Sequence, residues 1–133
     1  MSKSTSPDTR KPDPSHLRFP SSVRLKKSGD FKKVREKGKS SQARLLRLGI
    51  FKLAENPPSR IGIVTSKRLG GAVVRNKTRR RLREIARTHL PRIIPGLLIV
   101  IVAKPPAAEA AYDELRAEWL LLARRLSIFA DSE

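Results

Sequence analysis

The sequence predicts an α+β domain in which helices pack on a small mixed sheet, and three of its features support this fold class. Residues 97–103 are apolar at every position, which is typical of a central strand that is buried on both faces and usually parallel to a neighbour. Residues 44–53 alternate apolar and polar side chains, which predicts a half-buried strand. Residues 75–87 and 107–127 repeat apolar side chains at helical spacing.

The first element along the chain is a short basic helix. Ser28 is its expected N-cap, because a serine hydroxyl accepts hydrogen bonds from free amide groups, and Gly38 is its expected end. Phe31 and Val34 give the helix an apolar pair. The strand at residues 44–53 follows, after a short extended lead-in at residues 39–42.

The middle of the chain predicts a hairpin followed by a crossover. A turn at residues 55–59 separates the first strand from a β-branched strand at residues 61–66, and we expect these two strands to pair antiparallel. Gly70 and Gly71 then lead into a helix that begins near Ala72 and frays near residues 88–90, and the strand at 97–103 follows it. This crossover joins strands that can be parallel.

A last helix is expected over about residues 107–127, after a proline pair that ends the central strand. Its apolar stripe is predicted to be core: Tyr112, Leu115, Trp119, Leu122 and Leu126. The complete order of elements is therefore α-β-β-β-α-β-α.

The positive charge of the chain points to an anionic partner. The net charge is +18, and residues 23–90 carry 21 of the 30 lysines and arginines against four acidic residues. The absence of cysteine excludes disulfides, zinc fingers and thiol chemistry. The longest apolar run has seven residues, far below the roughly 20 that span a bilayer, and no signal peptide or lipidation motif is present. We expect a cytoplasmic protein that binds a polyanion and no membrane.

The charge is densest in the helix at residues 75–87, which holds six arginines and one lysine against one acid, Glu84. Solvated basic helices usually interleave acids at i,i+4 spacing, so this density predicts a bound polyanion. At 100° per residue the helix has two sides. The apolar stripe comprises Val74, Thr78, Leu82, Ile85, Ala86 and His89, and the opposite row comprises Asn76, Arg80, Arg83 and Arg87.

Catalytic and metal sites are not predicted. His16 and His89 have no partner at metal-ligand spacing, and the glycine that a P-loop would need before Gly38 is replaced by Lys33.

The remaining class of function is a binding module. RNA is favoured over DNA. A DNA-binding helix-turn-helix requires another helix directly before the recognition helix, and here a glycine pair precedes the arginine helix instead. The ring of Phe31 either stacks on a base or belongs to the core.

Several motifs together resemble the bacterial ribonuclease P protein subunit. The longest lies at residues 61–87 and is IGIVTSKRLGGAVVRNKTRRRLREIAR. Upstream, RLKK at residues 24–27 and DFKKV at residues 30–34 resemble that family's first helix, and residues 99–105 resemble its last strand. The resemblance covers about residues 23–127.

The resemblance implies a fold and a function. The fold would be ribosomal protein S5 domain 2-like, with a left-handed crossover through the arginine helix. The chain would assist a catalytic RNA in the Mg²⁺-dependent removal of the 5′ leader of precursor tRNA, as one subunit of an endoribonuclease holoenzyme. The chemistry and the Mg²⁺ would belong to the RNA and its substrate. A general RNA-binding or ribosome-associated protein is the alternative.

The resemblance also implies two RNA-binding surfaces. The catalytic RNA would contact Arg75, Asn76, Lys77, Arg79, Arg80, Arg81, Arg83 and Arg87. A cleft between the first helix and the sheet would hold the 5′ leader, with contacts from Arg24, Lys27, Phe31, Lys33, Lys67, Arg68 and Lys104. Two positions depart from the family pattern, because Lys77 replaces an arginine and Arg35 stands where a second phenylalanine is common.

The domain organisation follows from composition. Residues 1–22 hold four prolines and six serines without apolar periodicity, which predicts a disordered basic segment. We expect one RNA-binding α+β domain at residues 23–128 and a short tail at residues 129–133.

Overall fold

The computed structural model describes residues 23–130, so the N-terminal segment at 1–22 and residues 131–133 lie outside the described part. Seven main elements follow in the predicted order. They are α1 (Ser28–Lys37), β1 (Lys39–Gln42), β2 (Leu46–Lys52), β3 (Arg60–Thr65), α2 (Ala72–His89), β4 (Leu97–Ala103) and α3 (Tyr112–Arg125). None of the helices in residues 23–130 is long and apolar enough to cross a bilayer.

The four strands form one mixed sheet in the order β1-β2-β4-β3. β4 is central and almost wholly buried, runs parallel to β3 and lies antiparallel to β2, as its unbroken apolar run predicts. The parallel pair makes α2 a crossover between β3 and β4. Its left-handed sense stays a prediction.

The predicted hairpin between β2 and β3 is wrong, because β4 lies between these strands. β2 instead pairs with β1 on one side and with β4 on the other, from Leu46 opposite Ala103 to Lys52 opposite Leu97. The chain beyond β2 continues this pairing, since the Leu53 amide donates to the Gly96 carbonyl at 2.8 Å. A strand that is apolar on both faces needs a neighbour on each side, and this requirement outweighs proximity in sequence.

The main core lies between one face of the sheet and helices α2 and α3. The apolar stripe of α2 is buried as predicted at Thr78, Leu82, Ile85, Ala86 and His89, while Val74 packs at its margin. The stripe of α3 is also core: Leu115, Trp119 and Leu122 are buried, and Tyr112 and Leu126 pack against them. The core continues to Phe129, which is buried against the ring of Trp119.

Helix α1 packs on the opposite face of the sheet, and two glycines allow its close approach. Gly49 and Gly62 lie in one lateral row across the strands. A Cβ at Gly62 would stand 2.6 Å from the Phe31 ring, and a Cβ at Gly49 would stand 2.9 Å from Val34 Cγ1. The two apolar residues of α1 therefore rest directly on the sheet.

Three helix and strand ends differ from the sequence-based expectation. Ser28 is the first helical residue of α1 rather than its cap, and Lys27 occupies the N-cap without a side-chain hydrogen bond. Helix α3 begins at Tyr112 rather than near residue 107, because the prolines start a separate 3₁₀ helix, Pro105–Glu109. β2 begins at Leu46 rather than near residue 44, where Glu118 Oε1 of α3 accepts hydrogen bonds from the amides of Leu45 and Leu46.

Candidate nucleic-acid interface

The outer face of α2 presents exposed polar and cationic side chains. Asn76, Lys77 and Arg80 are exposed there, beside Val73, which is 82% exposed. The single acid of this helix, Glu84, is exposed too. The N-cap of α2 is Gly71, which has no side chain with which to cap the helix. A helix that buries one side and leaves such a charge density in solvent suits a polyanion.

Two arginines of α2 make hydrogen bonds within the protein. Arg79 donates to Thr65 Oγ1 at the end of β3 and to Asn76 Oδ1, at 2.5 and 3.1 Å. Arg81 donates to the Ala110 carbonyl at 3.0 Å. These bonds hold both guanidinium groups at the borders of the outer face and leave their remaining N–H groups for other acceptors.

Arg75 and Arg87 are half-buried rather than exposed. Their Nε atoms are shielded from solvent and have no hydrogen-bond partner within residues 23–130. Arg75 lies in the first turn of α2, where its amide donates to the Gly71 carbonyl at 2.9 Å. At 100° per residue Arg75 falls beside the apolar stripe of α2, and the structure puts it at the margin of the outer face.

A cationic groove of about 290 Å³ lies between α2 and the segment that precedes α1. Arg79 and Arg83 line one side, and Arg24 and Lys26 line the other. Burial lowers the pKa of the Arg83 guanidinium below its ordinary value, and the positive charges of Arg24 and Arg79 lower it further. Among residues 23–130 no carboxylate lines this groove, so the arginines there repel one another, and a bound anion would relieve that repulsion.

A second groove, of about 220 Å³, lies between α1 and the sheet. Its floor follows one lateral row of the sheet, in which Arg47, Val102 and Val64 line the groove and Gln42 continues the row on β1. Helix α1 covers the neighbouring glycine row and leaves this row open, so Val64 is 36% exposed. Phe31 lies between the two grooves and lines both.

Only some of the residues predicted to bind the leader lie together. Phe31 lines the groove on the sheet, but Arg24 lies in the cationic groove with Arg79 and Arg83. Lys104 lies at the end of the floor row, where its ammonium donates to Gln42 Oε1 and the Ala43 carbonyl at 3.3 and 2.7 Å.

The other predicted leader contacts lie near the groove without lining it. Lys67 and Arg68 are exposed in a 3₁₀ helix directly after β3. Because Thr65 pairs with Ala103, these two cations and Lys104 leave the sheet at the same edge. Lys27 and Lys33 are exposed at the start and middle of α1.

Comparison with known proteins identifies the family. A family model described as Ribonuclease P matches residues 19–127. The chain belongs to the ribonuclease P protein family.

Relatives and solved structures of this family resemble most of the chain. The ribonuclease P protein component of Roseiflexus sp. strain RS-1 is 44% identical over 95 residues, which cover 71% of this chain and 77% of the relative. That of Acidothermus cellulolyticus is 38% identical over 116 residues, covering 86% and 97%. A structure of the Staphylococcus aureus ribonuclease P protein superimposes with a TM-score of 0.75 at 30% identity, covering 80% and 97%.

Sequence reasoning singled out Arg35 only as a departure from the family pattern, and it missed a second groove residue, Arg47. Arg35 extends from the last turn of α1, and Arg47 is the exposed side chain between buried Leu46 and Leu48 of β2. The signal for Arg47 was present, since a charge inside an alternating strand marks the face away from the core. Its proximity to Arg35 depends on how α1 lies on the sheet, which the sequence does not specify.

Residues 23–130 contain no group of three or more His, Cys, Asp or Glu side chains that could hold a metal ion. His89 has a structural role: it is buried at the end of α2, where its Nδ1 lies 2.8 Å from the Ile85 carbonyl and 3.2 Å from the indole nitrogen of Trp119.

Proposed function

We propose that this chain is the protein subunit of a cytoplasmic ribonuclease P holoenzyme. It binds the catalytic RNA of that enzyme and the 5′ leader of precursor tRNA, and so assists the Mg²⁺-dependent endonucleolytic maturation of tRNA. Family membership supports the assignment, and one observation carries it: two surfaces suited to RNA, the outer face of α2 and the groove on the sheet, are present on one small domain. We propose the single RNA-binding domain predicted at residues 23–128, with buried Phe129 as a further member of its core.

The two surfaces suit different RNA ligands. The outer face of α2 is cationic, so it suits the folded backbone of a large RNA. The proposed contacts lie on that face, at its margins and in the adjoining cationic groove, and they are Arg75, Asn76, Lys77, Arg79, Arg80, Arg81, Arg83 and Arg87. The groove between α1 and the sheet has a largely apolar lining, with Val64 and Val102 on its floor, which suits the splayed bases of a single strand. Lys67, Arg68 and Lys104 extend this surface at one edge of the sheet, and Lys27 and Lys33 extend it along α1.

The chemistry of cleavage is assigned to the RNA. The protein offers no carboxylate cluster for Mg²⁺ in residues 23–130, so the ions would be held by the catalytic RNA and the substrate. The protein's contribution is binding: it neutralises phosphates and holds the leader.

The test is a reconstitution with the catalytic RNA of the same genome. At low Mg²⁺, adding the protein should accelerate leader removal from precursor tRNA and should tighten substrate binding. An unchanged rate would contradict the proposal. Crosslinking in cells tests the alternative, because a general RNA-binding or ribosome-associated protein would label mainly ribosomal RNA.

A further inference from the structure

An apolar pocket of about 180 Å³ lies at the end of the sheet where β3 and β4 begin. Its lining comprises Val23, Pro58, Ser59, Leu90, Ile93 and Pro95. Val23, Leu90 and Ile93 pack at the margin of the main core and are only half-buried, while Pro58 and Pro95 are exposed. The pocket therefore reaches the surface and keeps apolar area in contact with water, which an apolar occupant would remove.

The polar side chain in this lining, Ser59, already has hydrogen-bond partners. Its Oγ donates to the Ile94 carbonyl at 2.5 Å and accepts from the Leu97 amide at 2.9 Å. Pro58 and Pro95 have no N–H to donate, and no charged side chain of residues 23–130 lines the pocket. Unlike the two grooves, it therefore suits an apolar group and not a phosphate.

The N-terminal segment enters the described part of the chain at this pocket. Arg24 forms a parallel bridge with Ile61, and the Leu25 amide donates to the Ile61 carbonyl at 3.0 Å. The chain before Arg24 therefore lies toward the beginning of β3, and Val23 itself lines the pocket. The one aromatic residue in the sequence of residues 1–22 is Phe19. Four residues span at most about 14 Å, so Phe19 is within reach of the pocket.

We propose that the side chain of Phe19 occupies this pocket and holds the end of the N-terminal segment against the domain. The size agrees, because an apolar cavity of about 150 Å³ in a protein holds a benzene ring. The family model also matches from residue 19 onward, which makes Phe19 part of the shared domain rather than of the segment before it. The domain would then begin at Phe19 rather than at residue 23.

Docking of Phe19 has a consequence for RNA binding, and this consequence rests on the proposed function. Arg24 lines the cationic groove opposite Arg83, and its Nε has no hydrogen-bond partner within residues 23–130. Fixing the chain at Phe19 limits the movement of this guanidinium and so lowers the entropy that is lost when it binds a phosphate. Phe19 is thus a positioning residue that acts through Arg24.

Two measurements on the free full-length protein test the docking. In NMR spectra, the ring protons of Phe19 should show nuclear Overhauser contacts to the methyl groups of Leu90 and Ile93. In chemical unfolding, Phe19→Ala should raise the unfolding equilibrium constant about tenfold or more, the value for exposing a buried phenylalanine. Leu17→Ala is the matched control: it removes another large apolar side chain of the same segment and should change that constant by about twofold at most.

A third measurement tests the positioning role. Phe19→Ala should weaken binding of the catalytic RNA by about three- to tenfold, under conditions in which the variant stays folded. In an Arg24→Gln background the same substitution should weaken binding by less than about twofold, because the side chain that Phe19 positions is gone. A merely structural role would give equal losses in both backgrounds.

The absence of contacts between the Phe19 ring and the pocket, or equal destabilisation by Phe19→Ala and Leu17→Ala, would overturn the docking. Equal losses of RNA affinity in the two backgrounds would overturn the positioning role. The proposed function stands in each of these cases as long as the wild-type protein accelerates leader removal. If the wild-type protein has no such effect, the proposed function fails, while the docking is still decided on the free protein.

Discussion

At the residue scale, the arginines of α2 differ in what they can do although the sequence presents them as one run. Arg80 is exposed, and Arg79 and Arg81 donate hydrogen bonds to other residues of the protein. Arg75 and Arg87 are half-buried. An exposed arginine has only its RNA contact to lose on substitution, whereas a bonded one also supports the fold.

Arg80→Ala should therefore weaken assembly with the catalytic RNA and leave the folded domain intact. We expect the salt slope of assembly to fall by about 1, as for the loss of one phosphate contact, and the melting temperature to stay unchanged. Filter binding across a salt series together with thermal unfolding checks both expectations. A large drop in melting temperature would show that Arg80 supports the core.

The single tyrosine reports on the contact between α2 and α3. Partial burial raises the pKa of Tyr112 above its ordinary value of 10.0, and the negative charge of Glu84 raises it further. Ultraviolet titration of the folded protein should give a pKa above that of the unfolded chain, and Glu84→Gln should lower it. Because the folded state favours the neutral phenol, this side chain's contribution to stability is present below the unfolded pKa and is lost as the pH rises through the folded pKa. An equal value in both states would contradict the packing of Tyr112.

At the element scale, the close packing of α1 on the sheet depends on glycines in the strands below it. Gly62 leaves the space that the Phe31 ring fills, so Phe31 supports the fold and also borders both grooves. The two alternatives posed for this ring, core or RNA contact, are therefore compatible.

Gly62→Ala should destabilise the domain by about 1–3 kcal/mol, because the new methyl group would displace the ring of Phe31. Gly29→Ala is the matched control: Gly29 lies in the first turn of α1, and within residues 23–130 no atom beyond its chain neighbours and the helix backbone stands within 4 Å of a Cβ there. That substitution should be neutral or stabilising by up to about 1 kcal/mol. Chemical unfolding measures both, and equal stabilities would contradict the close approach of α1.

The sequence predicts single elements well and their neighbours poorly. The helical spacing of the α2 stripe and the unbroken apolar run of β4 are each visible within a single segment, so the sequence predicts both. The pairing of β2 with β4 and the meeting of Arg35 with Arg47 depend on register between distant segments, which no local pattern specifies. The site was therefore predicted as a set of cations, and the structure divides that set between two grooves and a helix face.

At the scale of the whole molecule, positive charge exceeds what the fold itself can neutralise. Arg24, Arg79 and Arg83 converge in one groove, although the sequence suggested separate ligands for Arg24 and for the other two. A shared anion at this point would join the segment before α1 to α2. The self-repulsion is a cost to the free protein that RNA would remove.

Inorganic phosphate should therefore stabilise the free protein more than chloride does at equal ionic strength. Any ligand that binds only the folded state raises its stability. Arg83→Gln should reduce the difference between the two anions, and thermal unfolding in matched buffers measures it. Phosphate also stabilises folded proteins in general by strengthening apolar burial. The Arg83→Gln variant keeps that general effect, so the difference between variant and wild type reports on the anion site alone. An equal response of variant and wild type would contradict an anion site in this groove.

The central claim is that two different RNAs occupy two different surfaces of one domain. Because the chain has no cysteine, Ser40→Cys in the groove and Asn76→Cys on α2 each create a unique attachment point for a photocrosslinker. Both side chains are exposed. In the assembled holoenzyme with precursor tRNA, the probe at position 40 should label the 5′ leader and the probe at position 76 should label the catalytic RNA. Labelling of the catalytic RNA alone from both positions would contradict the account.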